Sequence, residues 1–187
     1  RDRYEYVPNF SFSNIINDNF SFNSLGYYKN YNTNIKEQVL INNLNYQSIP
    51  KYFNNGLVNK KDFLLKNVNT KAKNSENFKN DFSNTLLPTI QSTYTFPLVK
   101  ETERFDNILT PKLSLKLSPN YTRDIRNQNE GRIDYFNIYD IDRLGIEEAN
   151  EGGISATYGY EYTKFDKSTF AEKMKFGFAN NLSLIHI

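Results

Sequence analysis

Cysteine and tryptophan are both missing from the 187 residues, and methionine occurs once. Without cysteine there are no disulfides and no thiolate metal sites, and the redox compartment stays open. No run of about 18 apolar residues occurs, so no transmembrane helix is expected. Charge of one sign is scarce. The 23 basic and 21 acidic residues leave a formal +2, too weak a field to point to a nucleic-acid partner. Chemistry is equally thin. There is no Gly-rich phosphate loop, nucleophile elbow, zinc motif or calcium-loop spacing. His186 is the only histidine and has no partner for a triad or a metal. No catalytic residue, cofactor or metal is expected, and the chain does not read as an enzyme. No signal peptide is visible and the first residue is Arg1, so a fragment of a longer protein is expected.

Aromatic rings are plentiful instead. Phe (15) and Tyr (14) make up 16% of a chain whose mean hydropathy is −0.70. A disordered chain would lack those rings, and an ordinary soluble core would carry more aliphatic residues. The rings fall on alternate positions. Ile154, Ala156, Tyr158, Tyr160 and Tyr162 share one face, with Ser155, Thr157, Gly159 and Glu161 on the other. A period of two is the mark of a pleated strand with one apolar and one polar side. The stretch 132–162 reads as a hairpin, two strands joined by an acidic turn (EEANEGG) that ends in two glycines.

The same alternation recurs along the chain. Phe10 and Phe12 lie opposite Ser11 and Ser13, and a turn over Asn17, Asp18 and Asn19 leads to Phe20, Phe22, Ser24, Gly26 and Tyr28 on one face. A further strand is expected over 36–48, with Leu40, Leu44 and Tyr46 together. Ile90, Ser92, Tyr94, Phe96 and Leu98 alternate with threonines and Gln91. Leu113, Leu115 and Leu117 alternate with Lys112, Ser114 and Lys116, and a polar turn over 127–131 follows. Phe170 to Leu184 forms the last strand, with Met174, Phe176 and Phe178 opposite Lys173, Lys175 and Gly177. The Asn/Lys-rich stretch 50–84 reads as a long polar loop with at most a short strand at 63–65. Its lysines could alternatively touch anionic head groups. The acidic cluster of Asp140, Asp142, Glu147, Glu148 and Glu151 reads as a solvated turn. The expected fold is all-β, an antiparallel up-and-down meander of roughly eight to ten strands. A greasy face and a wet face fit part of a large outer-membrane β-barrel, left as an open fragment. A soluble β-sandwich binding module would show the same periodicity, as would an unrelated outer-membrane channel or receptor barrel.

The residues become specific over YFNIYDIDRLGIEEANEGGISATYGYEY, which resembles the barrel domain of the LptD family, the lipopolysaccharide-assembly (organic solvent tolerance) outer-membrane proteins. Phe136, Asp142, Arg143, Gly145, Glu148, Gly152, Tyr158 and Gly159 fall into that family's pattern. Glu147 stands where the family has a second Asp, and Ile154 or Ser155 where it often has Arg. LTPKLSLKLSPN (109–120) is similar to the family's preceding strand. The resemblance implies a wall of a barrel in the bacterial outer membrane, part of a translocon placing lipopolysaccharide in the outer leaflet. It also implies a plug lipoprotein (LptE-like) in the lumen, a periplasmic bridge protein (LptA-like) and contact with outer-membrane lipid. On this reading Arg143, flanked by Asp140 and Asp142, makes a lumenal or rim ion pair.

Overall fold

The computed structural model describes residues 3–13, 19–31, 34–119 and 133–184. The turn residues Asn17 and Asp18, the polar turn at 127–131 and His186 lie outside them. Among the described residues every regular element is a strand, and all eleven join one open antiparallel sheet. In chain order they are β1 (Arg3–Tyr6), β2 (Asn9–Ser13), β3 (Phe20–Tyr31), β4 (Ile35–Gln47), β5 (Lys51–Tyr52), β6 (Val58–Lys73), β7 (Asp81–Thr95), β8 (Leu98–Glu101), β9 (Phe105–Ser118), β10 (Gly153–Asp166) and β11 (Glu172–Leu184). The path β1-β3-β4-β6-β7-β9-β10-β11 is an up-and-down meander, with β2, β5 and β8 pairing at the ends of their neighbours. The all-β meander expected from the alternation is the architecture observed.

The two faces of the sheet differ sharply. Strand partners point the same way, so register carries each face across the wall. On one face Leu113, Leu115, Leu117, Tyr158, Tyr160, Phe176 and Phe178 stand 40–53% exposed. No second sheet covers them among the described residues, so the shared core of a sandwich is not built here. This is the bare face. On the other, Lys66, Thr89, Gln91, Ser114, Lys116, Ser155 and Thr157 are buried. They lie under the segment 133–152, which crosses that covered face as turns and irregular backbone. A small apolar cluster of Val39, Ile41 and Val68, flanked by Tyr27 and Phe78, occupies the covered face nearer β4.

Two sequence expectations are corrected. The stretch 50–84 is not a long loop: β6 spans 16 residues and pairs in register with β4 and β7. Its periodicity is weak because both its faces are mixed. Leu64, Lys66, Val68 and Thr70 go to the covered side, and Phe63, Leu65, Asn67 and Asn69 to the bare one. The first half of the expected 132–162 hairpin is not a strand either. β10 pairs instead with β9 and β11, and 133–152 leaves the sheet to lie over it. Its acidic side chains meet buried cations of the covered face.

Candidate functional site

The covered face is organised by buried cations that rise from the strands to meet the overlying strap, 133–152. Lys66, on β6, is 1% exposed. Its ammonium lies 2.6 Å from a carboxylate oxygen of Asp142 and donates to the carbonyls of Ile146 at 2.6 Å and Ala149 at 3.0 Å. An ammonium has three donors, and all three are taken by the strap. A buried charge is tolerated only when it is paired and fully hydrogen-bonded, and Lys66 meets both conditions.

Arg143 is the strap's own cation, and it points down into the wall. Its guanidinium forks onto both carboxylate oxygens of Glu151. It also donates to Asn181 at 2.8 Å, Thr157 at 3.2 Å and Ser155 at 3.3 Å. Glu151 in turn receives Lys116 at 2.8 Å. Burial by itself pushes the Glu151 carboxyl up, but hydrogen bonds from Arg143 and Lys116 outweigh it and hold the group below its ordinary value. The bidentate fork fixes geometry as well as energy. Nearby, Asn150 donates to Thr89 and Ser118 to the Glu151 carbonyl, while Ile146 and Ala149 are each 1% exposed.

The other end of the strap is aromatic. Gln91 donates to the Tyr139 carbonyl at 2.7 Å, and the Lys112 ammonium lies 4.1 Å from the Tyr139 ring centre. Tyr139 and Tyr135 lie over glycines. A Cβ at Gly159 would stand 2.7 Å from the Tyr139 hydroxyl, and one at Gly177 would meet the Tyr135 ring. Burial first, and Tyr135 second, raise the Tyr139 phenol to about 12. The Tyr135 hydroxyl donates to Glu161 at 3.1 Å, and Tyr27, on β3, donates to Glu148 at 3.3 Å. The strap therefore touches β3, β6, β7, β9, β10 and β11.

The family-pattern residues divide by role. Asp142, Arg143 and Glu148 hold the strap to the wall, and Gly159 makes room for it. Gly145 takes a left-handed φ of 62° in a turn closed by its N–H on the Asp142 carbonyl. Gly152 is buried where the strap rejoins β10. Tyr158 lies on the bare face, and Phe136 is 89% exposed at the strap's surface. Arg143 does make an ion pair, with Glu151 rather than with the adjacent aspartates. The acidic cluster is not a solvated turn: Asp142 and Glu151 are bound to buried cations. Lys66 and Lys116 are the residues whose roles here sequence reading missed. The available signal was charge complementarity between wall lysines and five acids within 140–151.

The arrangement contains hydrogen-bond donors and acceptors tied to one another, with no nucleophile–base pair among its contacts. Together they hold the segment 133–152 across the polar face of the sheet. No family model matches the chain, and no curated protein matches it.

Proposed function

We propose that the chain is part of the wall of a bacterial outer-membrane β-barrel, and that the barrel belongs to an LptD-type translocon assembling lipopolysaccharide in the outer leaflet. One observation carries the membrane reading. Over β9, β10 and β11 the apolar face is bare and the polar face is filled, the reverse of a water-soluble sheet. An exposed apolar surface of this extent needs a non-aqueous neighbour. The strands suit it. β3, β4, β6, β7, β9, β10 and β11 run 12 to 16 residues, and a tilted strand crosses a bilayer core in about 9–11. Tyr158, Tyr160 and Tyr162 fit the aromatic girdle at an interface.

The translocon reading rests on the pattern from Phe136 to Gly159, half of which builds the strap's attachment. With the strap filling its polar side, this wall favours a controlled passage over a permanently open pore. In such an assembly an LptE-like plug lipoprotein and an LptA-like bridge are the expected partners. The test uses photo-crosslinkable residues in cells that make the protein. At Leu115 the expected adducts are membrane lipids, and at Phe136 lipopolysaccharide. Lipid adducts at Leu115 without lipopolysaccharide at Phe136 would leave a generic barrel. A chain recovered in the soluble fraction without detergent would end the membrane reading itself.

A further inference from the structure

The bare face is not uniformly apolar. At the end that carries the β3–β4 and β6–β7 turns, Lys36 pairs across the strands with Lys73, and the adjacent row sets Gln38 beside Lys71. All three lysines are exposed on the bare side. Among the described residues no carboxylate lies within ion-pair distance of any of them. Glu37, the nearest acid in sequence, points to the covered face. Glu76 and Asp81, exposed at the β6–β7 turn, make no ion pair with them either, so among the described residues the cluster is unpaired.

Directly beside it is a groove. Gly26 lies opposite Leu40 and has no side chain, and its N–H donates to the Pro8 carbonyl at 2.9 Å. The gap is bounded by Tyr6, Pro8, Tyr28, Leu40 and Phe82, with Lys71 at its margin. Tyr6 and Phe82 are 70% and 68% exposed, so apolar rings border a slot that water would solvate poorly. An apolar slot beneath a cluster of unpaired ammonium groups matches a molecule with an acyl chain and an anionic head, and matches neither free phosphate nor a neutral lipid.

We propose that this corner of the wall is a binding site for an anionic phospholipid, its phosphate held by Lys36, Lys71 and Lys73 and one acyl chain laid in the groove at Gly26. The inference rests on the reading of the bare face as bilayer-facing, and the experiment separates the two.

The full chain, folded in detergent micelles, is titrated with short-chain phosphatidylglycerol and with the matching phosphatidylcholine, and bound lipid is counted by native mass spectrometry. The unaltered chain should prefer phosphatidylglycerol by roughly tenfold or more, as several lysines acting on one anionic head require. The preference should vanish in Lys36→Gln/Lys71→Gln/Lys73→Gln. It should persist in Lys51→Gln/Lys61→Gln/Lys100→Gln, which removes the same charge at the opposite end of the strands. Phe82→Ala, which removes an exposed wall of the slot, should weaken both lipids alike. Equal preference in the two triple variants, or displacement of the lipid by equimolar inorganic phosphate, overturns the site. So does a second copy of the chain on this groove, seen as a dimer that Phe82→Ala dissociates. If the chain inserts into phosphatidylcholine vesicles but shows no lysine-dependent preference, only this inference fails. If it does not insert at all, the bilayer-facing wall fails and takes the site with it.

Discussion

Glu151 is shared between two cations, accepting the Arg143 guanidinium through both oxygens and the Lys116 ammonium at 2.8 Å. The side chains of Arg143, Lys116 and Glu151 are 1%, 4% and 10% exposed. Removing the anion leaves two buried charges facing each other, a change that costs about 3–5 kcal/mol in comparable sites. Glu151→Gln is therefore expected to release the strap. Amide exchange over 143–151 should accelerate by about a hundredfold or more, the equivalent of that energy. Unchanged exchange would mean that the strap is held by its apolar contacts alone.

Lys66 provides a separate anchor. Lys66→Met keeps length and packing but strands the carbonyls of Ile146 and Ala149 without a donor. Each buried unsatisfied group costs about 1–3 kcal/mol. Asp142, 28% exposed, can rehydrate and adds less. The variant should be cleaved faster by protease within 133–152, while β10 and β11 stay paired. Asp142→Asn should be milder than Lys66→Met, and the reverse order would show that the ion pair outweighs the carbonyl bonds.

What could be read in the sequence follows from the same contacts. β9, β10 and β11 were legible because their bare faces are almost purely apolar: Leu113, Leu115 and Leu117, then Tyr158, Tyr160 and Tyr162, then Phe176 and Phe178. β6 was not. Its covered-side Lys66 is polar for the strap's sake, and its bare-side Asn67 and Asn69 bond to neighbouring polar groups, Asn69 to Asn67 at 2.6 Å. The first half of the 132–162 hairpin was also expected as a strand, since turns whose residues are fixed by tertiary ion pairs have no period of their own. Arg143 was legible as an ion-pair former, but its partner lies eight residues on and becomes adjacent only when the strap folds back over the wall.

Acid should loosen the strap, and only strong acid. The Glu151 carboxyl is held below its ordinary value of 4.5, so its contribution is complete above that value and is lost as pH falls through the lower folded one. Asp140 has the opposite sign. Burial raises it against the pull of Lys112 and Lys60, so its protonation in mild acid slightly favours the folded strap. Protection of the strap amides, their exchange corrected for the intrinsic pH dependence, should stay flat from neutral pH to about 4.5 and fall steeply below, in keeping with the usual carboxylate range. In Glu151→Gln that acid step should disappear. A step that survives the substitution would assign it to other carboxylates.

Two glycines of the pattern separate space from backbone strain. At Gly159 an added methyl would collide first with the Phe178 carbonyl of β11, and would lie 2.8 Å from the Ala179 Cα and 2.7 Å from the Tyr139 hydroxyl, so both strand and strap must move. At Gly145 nothing lies within 4 Å, and only the positive φ opposes a side chain. Gly145→Ala should cost about 1 kcal/mol, the scale of left-handed strain. Gly159→Ala should cost more, about 1–3 kcal/mol as for an overpacked core. It should also free Tyr139, visible as a lowered phenol titration from about 12. An unchanged Tyr139 titration would show that the strap does not press on the wall at Gly159.

Leu115 gives the sharpest reading of what the bare face meets. It is 47% exposed, and Ser92 and Ala156 stand beside it on β7 and β10. If water were the neighbour, Leu115→Arg would shift stability by less than about 0.5 kcal/mol, as surface substitutions do. Against hydrocarbon the same change costs about 2–4 kcal/mol at mid-depth and about 0–1 near an interface. Leu115→Arg and a substitution at the start of β11, Met174→Arg, should therefore differ when folding is titrated in phosphatidylcholine vesicles, with Leu115 the more costly. The difference should shrink in thinner bilayers, because a thinner core brings Leu115 closer to the head groups. A flat profile across the two positions would place the whole face in water and remove the basis for a membrane wall.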